Sequence, residues 1–193
     1  MEQLQTAKHP GAGIKQLTLA ALMVALSAVG AFIKFPGPLG SIAMDSCPGY
    51  LYASICGPLG GVSVAFLGHL ASAFTVGFPL GVPIHLVVAA EMGLCAAVYG
   101  WIGRRLEAGG GIGTTDGRAR TLAGRSSRPW LLAGLVAVVL NGAGAPLALS
   151  PWLGMAAVVP LILPLTVASL MNVALAILMR RVLNSKRVSE GIR

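Results

Sequence analysis

Apolar runs of about 20 residues recur along this chain, separated by short breaks of Gly, Pro, Ser or Arg. A run of that length, wound as a helix, crosses a ~30 Å hydrocarbon layer. Leu17 to Phe35 and Pro83 to Gly103 read as full spans in the first half, and Trp130 to Leu149 and Gly154 to Met179 in the second. Between the first two, Pro48 to Val76 is too short for two helices of ~20 residues each. Gly57-Pro58 and Gly60-Gly61 divide it. The pattern predicts one short helix that dips in, a tight turn within the protein, and a longer helix back out. Such a broken helix is tolerated at membrane depth only where protein or an aqueous cavity satisfies its backbone. The predicted helices cover about 17–35, 48–57, 59–75, 83–104, 130–149 and 154–183, with a loop at 105–129. The fold class is an all-α membrane protein of six helices in a single domain. Ser150-Pro151 ends the fifth helix, and Pro160 and Pro164 should kink the sixth or displace its start.

Composition agrees. The chain is 55% hydrophobic and 10% charged, against about 25% charged for a soluble domain. A net charge of +8 suggests an anionic partner until the positions are read. Every Lys and Arg except Lys34 lies near the N-terminus, in Arg104 to Arg128, or from Arg180 onward. Basic flanks of this kind remain cytoplasmic. That places both ends inside and argues against nucleic acid. It makes the Gly-, Thr- and Ser-rich 105–129 segment a cytoplasmic loop. Cys47, Cys56 and Cys95 lack metal or disulfide spacing and read as small buried hydrophobes.

Against this apolar background Asp45, His69, His85 and Glu91 stand out. An ionisable side chain at the bilayer centre costs ~2.5–3.5 kcal/mol on insertion scales, which makes each a candidate for function. Helical rise puts His69 roughly 9 Å and Glu91 about 10 Å below the outer face, with Asn141 about 12 Å down. Asp45 falls in the outer loop, where it also suits the N-cap of helix 2, and His85 starts helix 4. Asn172 is deep and reads as structural. Polar groups confined to the outer half predict a pocket open outward, and a pore or relay would need them through the whole thickness. The rim loops, Phe35-Pro36-Gly37-Pro38-Leu39-Gly40 and Gly77-Phe78-Pro79-Leu80-Gly81-Val82-Pro83, suit close packing over a ligand. No His-Glu-x-x-His, Gly-x-Ser-x-Gly or P-loop motif occurs. No catalytic constellation, metal site or cofactor is expected.

Six helices, a short second helix, Gly57-Pro58-Leu59-Gly60-Gly61 and an outward pocket resemble the substrate-binding S component of an energy-coupling factor (ECF) vitamin transporter. In that family an Ala-x-x-x-Ala motif on helix 1 packs against the coupling subunit. Ala21 and Ala25 match it, and Ala28 extends the small face. The string Gly40 to Tyr50, then Gly68-His69, Gly77 to His85 and Glu91, is similar to the α-ribazole type, which salvages the lower-ligand nucleoside of cobalamin. The resemblance implies that Asp45 and Glu91 accept from ribose hydroxyls. It implies that His69 or His85 contacts the ring nitrogen or a hydroxyl, and that Phe78, Tyr50 or Trp152 stacks on the flat ring. It also implies capture from outside a prokaryotic plasma membrane, followed by toppling on a transmembrane coupling subunit driven by two ATPase subunits. The alternatives are another small heterocycle (pyridoxine, hydroxymethylpyrimidine), a small intramembrane enzyme, and an assembly subunit.

Overall fold

A computed structural model describes residues 10–37, 40–109 and 127–190. Five of its helices are long and apolar enough to cross a membrane, and a sixth is short. The first, α1, spans Pro10–Gly30. It stops at Gly30, short of the expected Phe35, and Pro36, which has no N–H to donate and disfavours helix at Phe35, bars the helix from reaching that end. The chain instead makes an antiparallel hairpin, β1 (Lys34–Gly37) and β2 (Gly40–Ala43), with Phe35 opposite Ile42. Apart from this hairpin the described chain is helical.

Beyond the hairpin the chain descends again. The carbonyl of Met44 lies against Gly30, so close that a Cβ there would collide with it. The short helix α2 (Cys47–Cys56) therefore starts inside the bundle, and α3 (Pro58–Thr75) runs antiparallel beside it. Gly57 joins them at φ 107°, a conformation open to glycine and strained for other residues. The Arg104 guanidinium donates to the Ile55 carbonyl at 2.9 Å, satisfying one of the last carbonyls of α2. The turn expected at mid-depth thus sits at the end of the bundle that carries the arginines. The displacement follows from where α2 begins.

Helix α4 (Val82–Gly109) continues past the expected end at 104. Its last turns hold good helix formers, and Glu107 receives two bonds from Arg180 at 2.9 and 3.0 Å. The same guanidinium lies 4.3 Å over the Trp130 ring. In the second half, α5 (Arg128–Val139) passes into a π-helical turn (Leu140–Gly144), then α6 (Ala145–Ala148) and α7 (Ser150–Leu153). The helical path ends at Gly154 with φ 77°, beyond Ser150-Pro151. Helix α8 (Met155–Glu190) begins ahead of both its prolines, so its start is not displaced. Most of the predicted loop, 110–126, falls outside the described residues.

The core is a column of rings and small-residue contacts. Tyr99 of α4 packs between Tyr50 of α2 and Trp130 of α5, each centroid 5.3 Å away. Glycines bring the helices close: a Cβ on Gly49 would lie 2.7 Å from that of Ala65, and one on Gly68 would lie 2.6 Å from Ser27 Oγ. Substituting Gly68→Leu should force α1 from α3 and lower stability by about 1–3 kcal/mol. Thermal unfolding in detergent would show this as a clear fall in midpoint, and an unchanged midpoint would contradict the packing described.

Candidate functional site

All four ionisable residues of the apolar region meet at one cavity. It has a volume of about 360 Å³ and lies at the end of the bundle opposite the arginine cluster. That is the small end of the ~300–1,000 Å³ range typical of small-molecule sites. Asp45, His69, His85, Glu91 and Asn141 all line it. Its apolar wall includes Leu161 and Leu165 of α8 and Val88 and Met92 of α4.

Three of the polar residues form a chain. Asp45 Oδ2 is 3.2 Å from His69 Nδ1, and His69 Nε2 is 3.2 Å from His85 Nδ1. The two imidazoles stack with centroids 5.4 Å apart. The other Asp45 oxygen, Oδ1, accepts from Ser46 Oγ at 3.3 Å. Local folding explains the meeting. Asp45 lies in the segment that descends after β2, level with His69 six residues before the end of α3. His85 lies in the first turn of α4, facing the same gap. Asp45 is thus not at the rim, and it is not the N-cap of α2. Ser46 holds the capping position and makes no side-chain cap bond. The first amide of α2, Cys47 N–H, donates to Asn172 Oδ1 of α8 at 2.8 Å, and Asn172 Nδ2 donates to the Ala168 carbonyl at 2.9 Å. Asn172 is structural, as its depth suggests, and it also lines the cavity.

Glu91 stands on a second wall. Its Oε1 accepts from Cys95 Sγ at 2.7 Å, so Cys95 is more than an apolar filler. Its Oε2 is buried and has no protein partner among the described residues. Asn141 is presented by the π-helical turn, and its Nδ2 donates to the Tyr50 hydroxyl at 3.2 Å. The turn has identifiable causes: Pro146 cannot donate to the preceding turn, and Gly142 abuts Thr166 of α8 so closely that a Cβ would clash. π-Helical turns of this kind recur at functional sites.

The aromatic candidates sit elsewhere. Tyr50 lies behind Asn141, packed edge-on against Tyr99, and does not line the cavity. Phe78 packs edge-on against His85, centroids 5.6 Å apart, and holds that ring from behind. It does so from φ 51°, between Gly77 at 77° and Gly81 at 82°. A bulky residue in this left-handed region costs of order 1–3 kcal/mol, which points to a constrained loop beside a site. Trp152 is exposed and away from the cavity. On α1, Ala21 and Ala25 are exposed and Ala28 is half-buried. Only 11% of the α1 span is buried, against 33–44% for the other four. Ser169 and Asn172 were not among the site expectations, although the spacing of Leu161, Leu165, Ala168, Ser169 and Asn172 marks one helical face. Among the described residues no group of three His, Cys, Asp or Glu is placed to hold a metal.

The family model for the ECF transporter substrate-specific component matches residues 15–182. The chain belongs to that family. A solved S component of a bacterial ECF transporter shares the fold with a TM-score of 0.57. It is 17% identical and covers 94% of this chain and 99% of its own. Curated proteins yield no match. The chain is therefore a multi-pass membrane protein and the substrate-binding subunit of a transporter, not an enzyme. S components bind a small solute and work with an ECF module, and in this S component the cavity is where buried polar groups converge.

The Cys47–Asn172 bond makes a prediction. Asn172→Ala leaves a buried backbone N–H unpaired, which costs about 1–3 kcal/mol. The unfolding midpoint of the purified protein should drop accordingly, and a wild-type midpoint would show that the bond does not hold α2 in place.

Proposed function

We propose that this S component captures a vitamin-like solute in the cavity between Asp45, His85, Glu91 and Asn141, and that the solute is α-ribazole. The observation that carries the reading is the convergence of these side chains from the descending segment, α4 and the π-helical turn on one small, mostly apolar space. Isolated, each would be an expensive group in a hydrocarbon layer. Gathered, they offer a neutral heterocyclic nucleoside hydrogen bonds along one edge and aliphatic contact with its flat ring. Glu91 and His85, the latter held by His69, supply the polar contacts to the ribose hydroxyls. Phe78 and Tyr50 act by holding His85 and Asn141 in position, in place of direct stacking.

The basic residues at the opposite end set the orientation: both termini cytoplasmic and the cavity open to the outside of a prokaryotic plasma membrane. The small face of α1, with Ala21 and Ala25 exposed and Ala28 half-buried, suits close packing on a transmembrane coupling subunit. The chain has no nucleotide-binding motif, so two ATPase subunits would supply the energy and the solute would cross as the S component topples.

Purified protein should bind α-ribazole at equilibrium without ATP, as measured by isothermal titration. Hydrogen bonds to a charged group contribute ~1.5–3 kcal/mol. Glu91→Ala should therefore weaken binding by about tenfold or more, and Asp45→Ala should weaken it by releasing the His69–His85 pair that Asp45 holds. Wild-type affinity in both variants would remove the site. Tight binding of pyridoxine or hydroxymethylpyrimidine with none of α-ribazole would keep the site and replace the solute.

A further inference from the structure

We infer that Asp45, His69 and His85 form a hydrogen-bond relay that fixes His85 Nε2 as an acceptor, and that the solute must present an N–H or O–H donor to it. The inference rests on the cavity being the solute site, and it adds the polarity of that site's central contact. With His69 neutral, the direction of the relay follows from its closed end. A carboxylate only accepts, so at 3.2 Å Asp45 Oδ2 requires a proton on His69 Nδ1. A neutral imidazole then carries a lone pair on Nε2. The group 3.2 Å from that lone pair is His85 Nδ1, which must be the donor. With its proton on Nδ1, the His85 ring has a lone pair on Nε2.

That nitrogen is buried and has no protein partner among the described residues, although His85 lines the cavity and is only 8% exposed. Glu91 Oε2 is likewise buried and unpartnered. The polar edge of the cavity therefore offers an acceptor at His85 Nε2, beside the open carboxyl oxygen of Glu91. A solute with hydroxyl or N–H donors matches it, and one whose edge carries only ring nitrogens or carbonyl oxygens does not. Asp45 has both oxygens engaged by protein, by Ser46 and by His69. It is a positioning residue, acting on the solute through the two rings.

The test is ¹⁵N NMR of the full chain in lipid nanodiscs at neutral pH, with ring-labelled histidine and His9→Gln to leave two rings in view. Both rings should carry their proton on Nδ1 and show unprotonated Nε2. Asp45→Ala should convert His85 to a mixture of tautomers, an effect a merely structural role would not produce. A proton on Nε2 of either ring in the wild-type protein overturns the relay, even if the variant fails to fold. A second arm adds α-ribazole. The expected result is a shift of the His85 Nε2 signal as its lone pair accepts a bond, with the tautomer unchanged. Unchanged signals on rings in the stated tautomers would leave the relay standing and discard α-ribazole as the solute. Protonation of His85 Nε2 on binding would overturn the relay.

Discussion

The bond from Cys47 N–H to Asn172 Oδ1 is the constraint on which the arrangement depends. A helix that begins inside an apolar bundle exposes its first amides where no water can satisfy them. Here a side chain from α8, 125 positions away, supplies the acceptor. The bond joins the two halves of the chain at the floor of the cavity. It also fixes the depth at which α2 starts, and that depth sets the rest. Asp45, two residues earlier, is held level with His69, and the far end of α2 is carried to Arg104.

Two clusters then divide the molecule. At one end Arg180 bridges Glu107 and the face of Trp130, tying α4, α5 and α8 with a charge-assisted contact. At the other, α3, α4, the π-helical turn and α8 surround the cavity, with Pro79 and Leu80 of the strained Gly77–Gly81 loop in its wall. The aromatic column of Tyr50, Tyr99 and Trp130 lies between them. A packed lower bundle with a polar upper gap suits a protein that holds a small solute.

The long apolar helices, the short second helix and the convergence of Asp45, His69, His85, Glu91 and Asn141 on one cavity were legible in the chain. Hydrophobic run length and a few polar exceptions are signals that do not depend on contacts. The bond directions were not legible. Asp45 looked like an N-cap because the spacing to Pro48 allowed it, but the amide is satisfied from Asn172, whose distance in sequence leaves no local trace. Tyr50 and Phe78 were expected on a solute's ring. They stand one layer back because Asn141 is rotated inward by a π-helical turn and Phe78 by an αL backbone, and neither departure has a period to read. Apolarity continues through Phe35 while helix 1 ends at Gly30, a stop that run length does not record.

If the cavity is where the solute sits, a structure of the protein solved with α-ribazole bound will show the nucleoside there, with one ribose hydroxyl donating to His85 Nε2 and another bonded to Glu91 Oε2. A solute bound elsewhere, with His85 and Glu91 untouched, would contradict that placement.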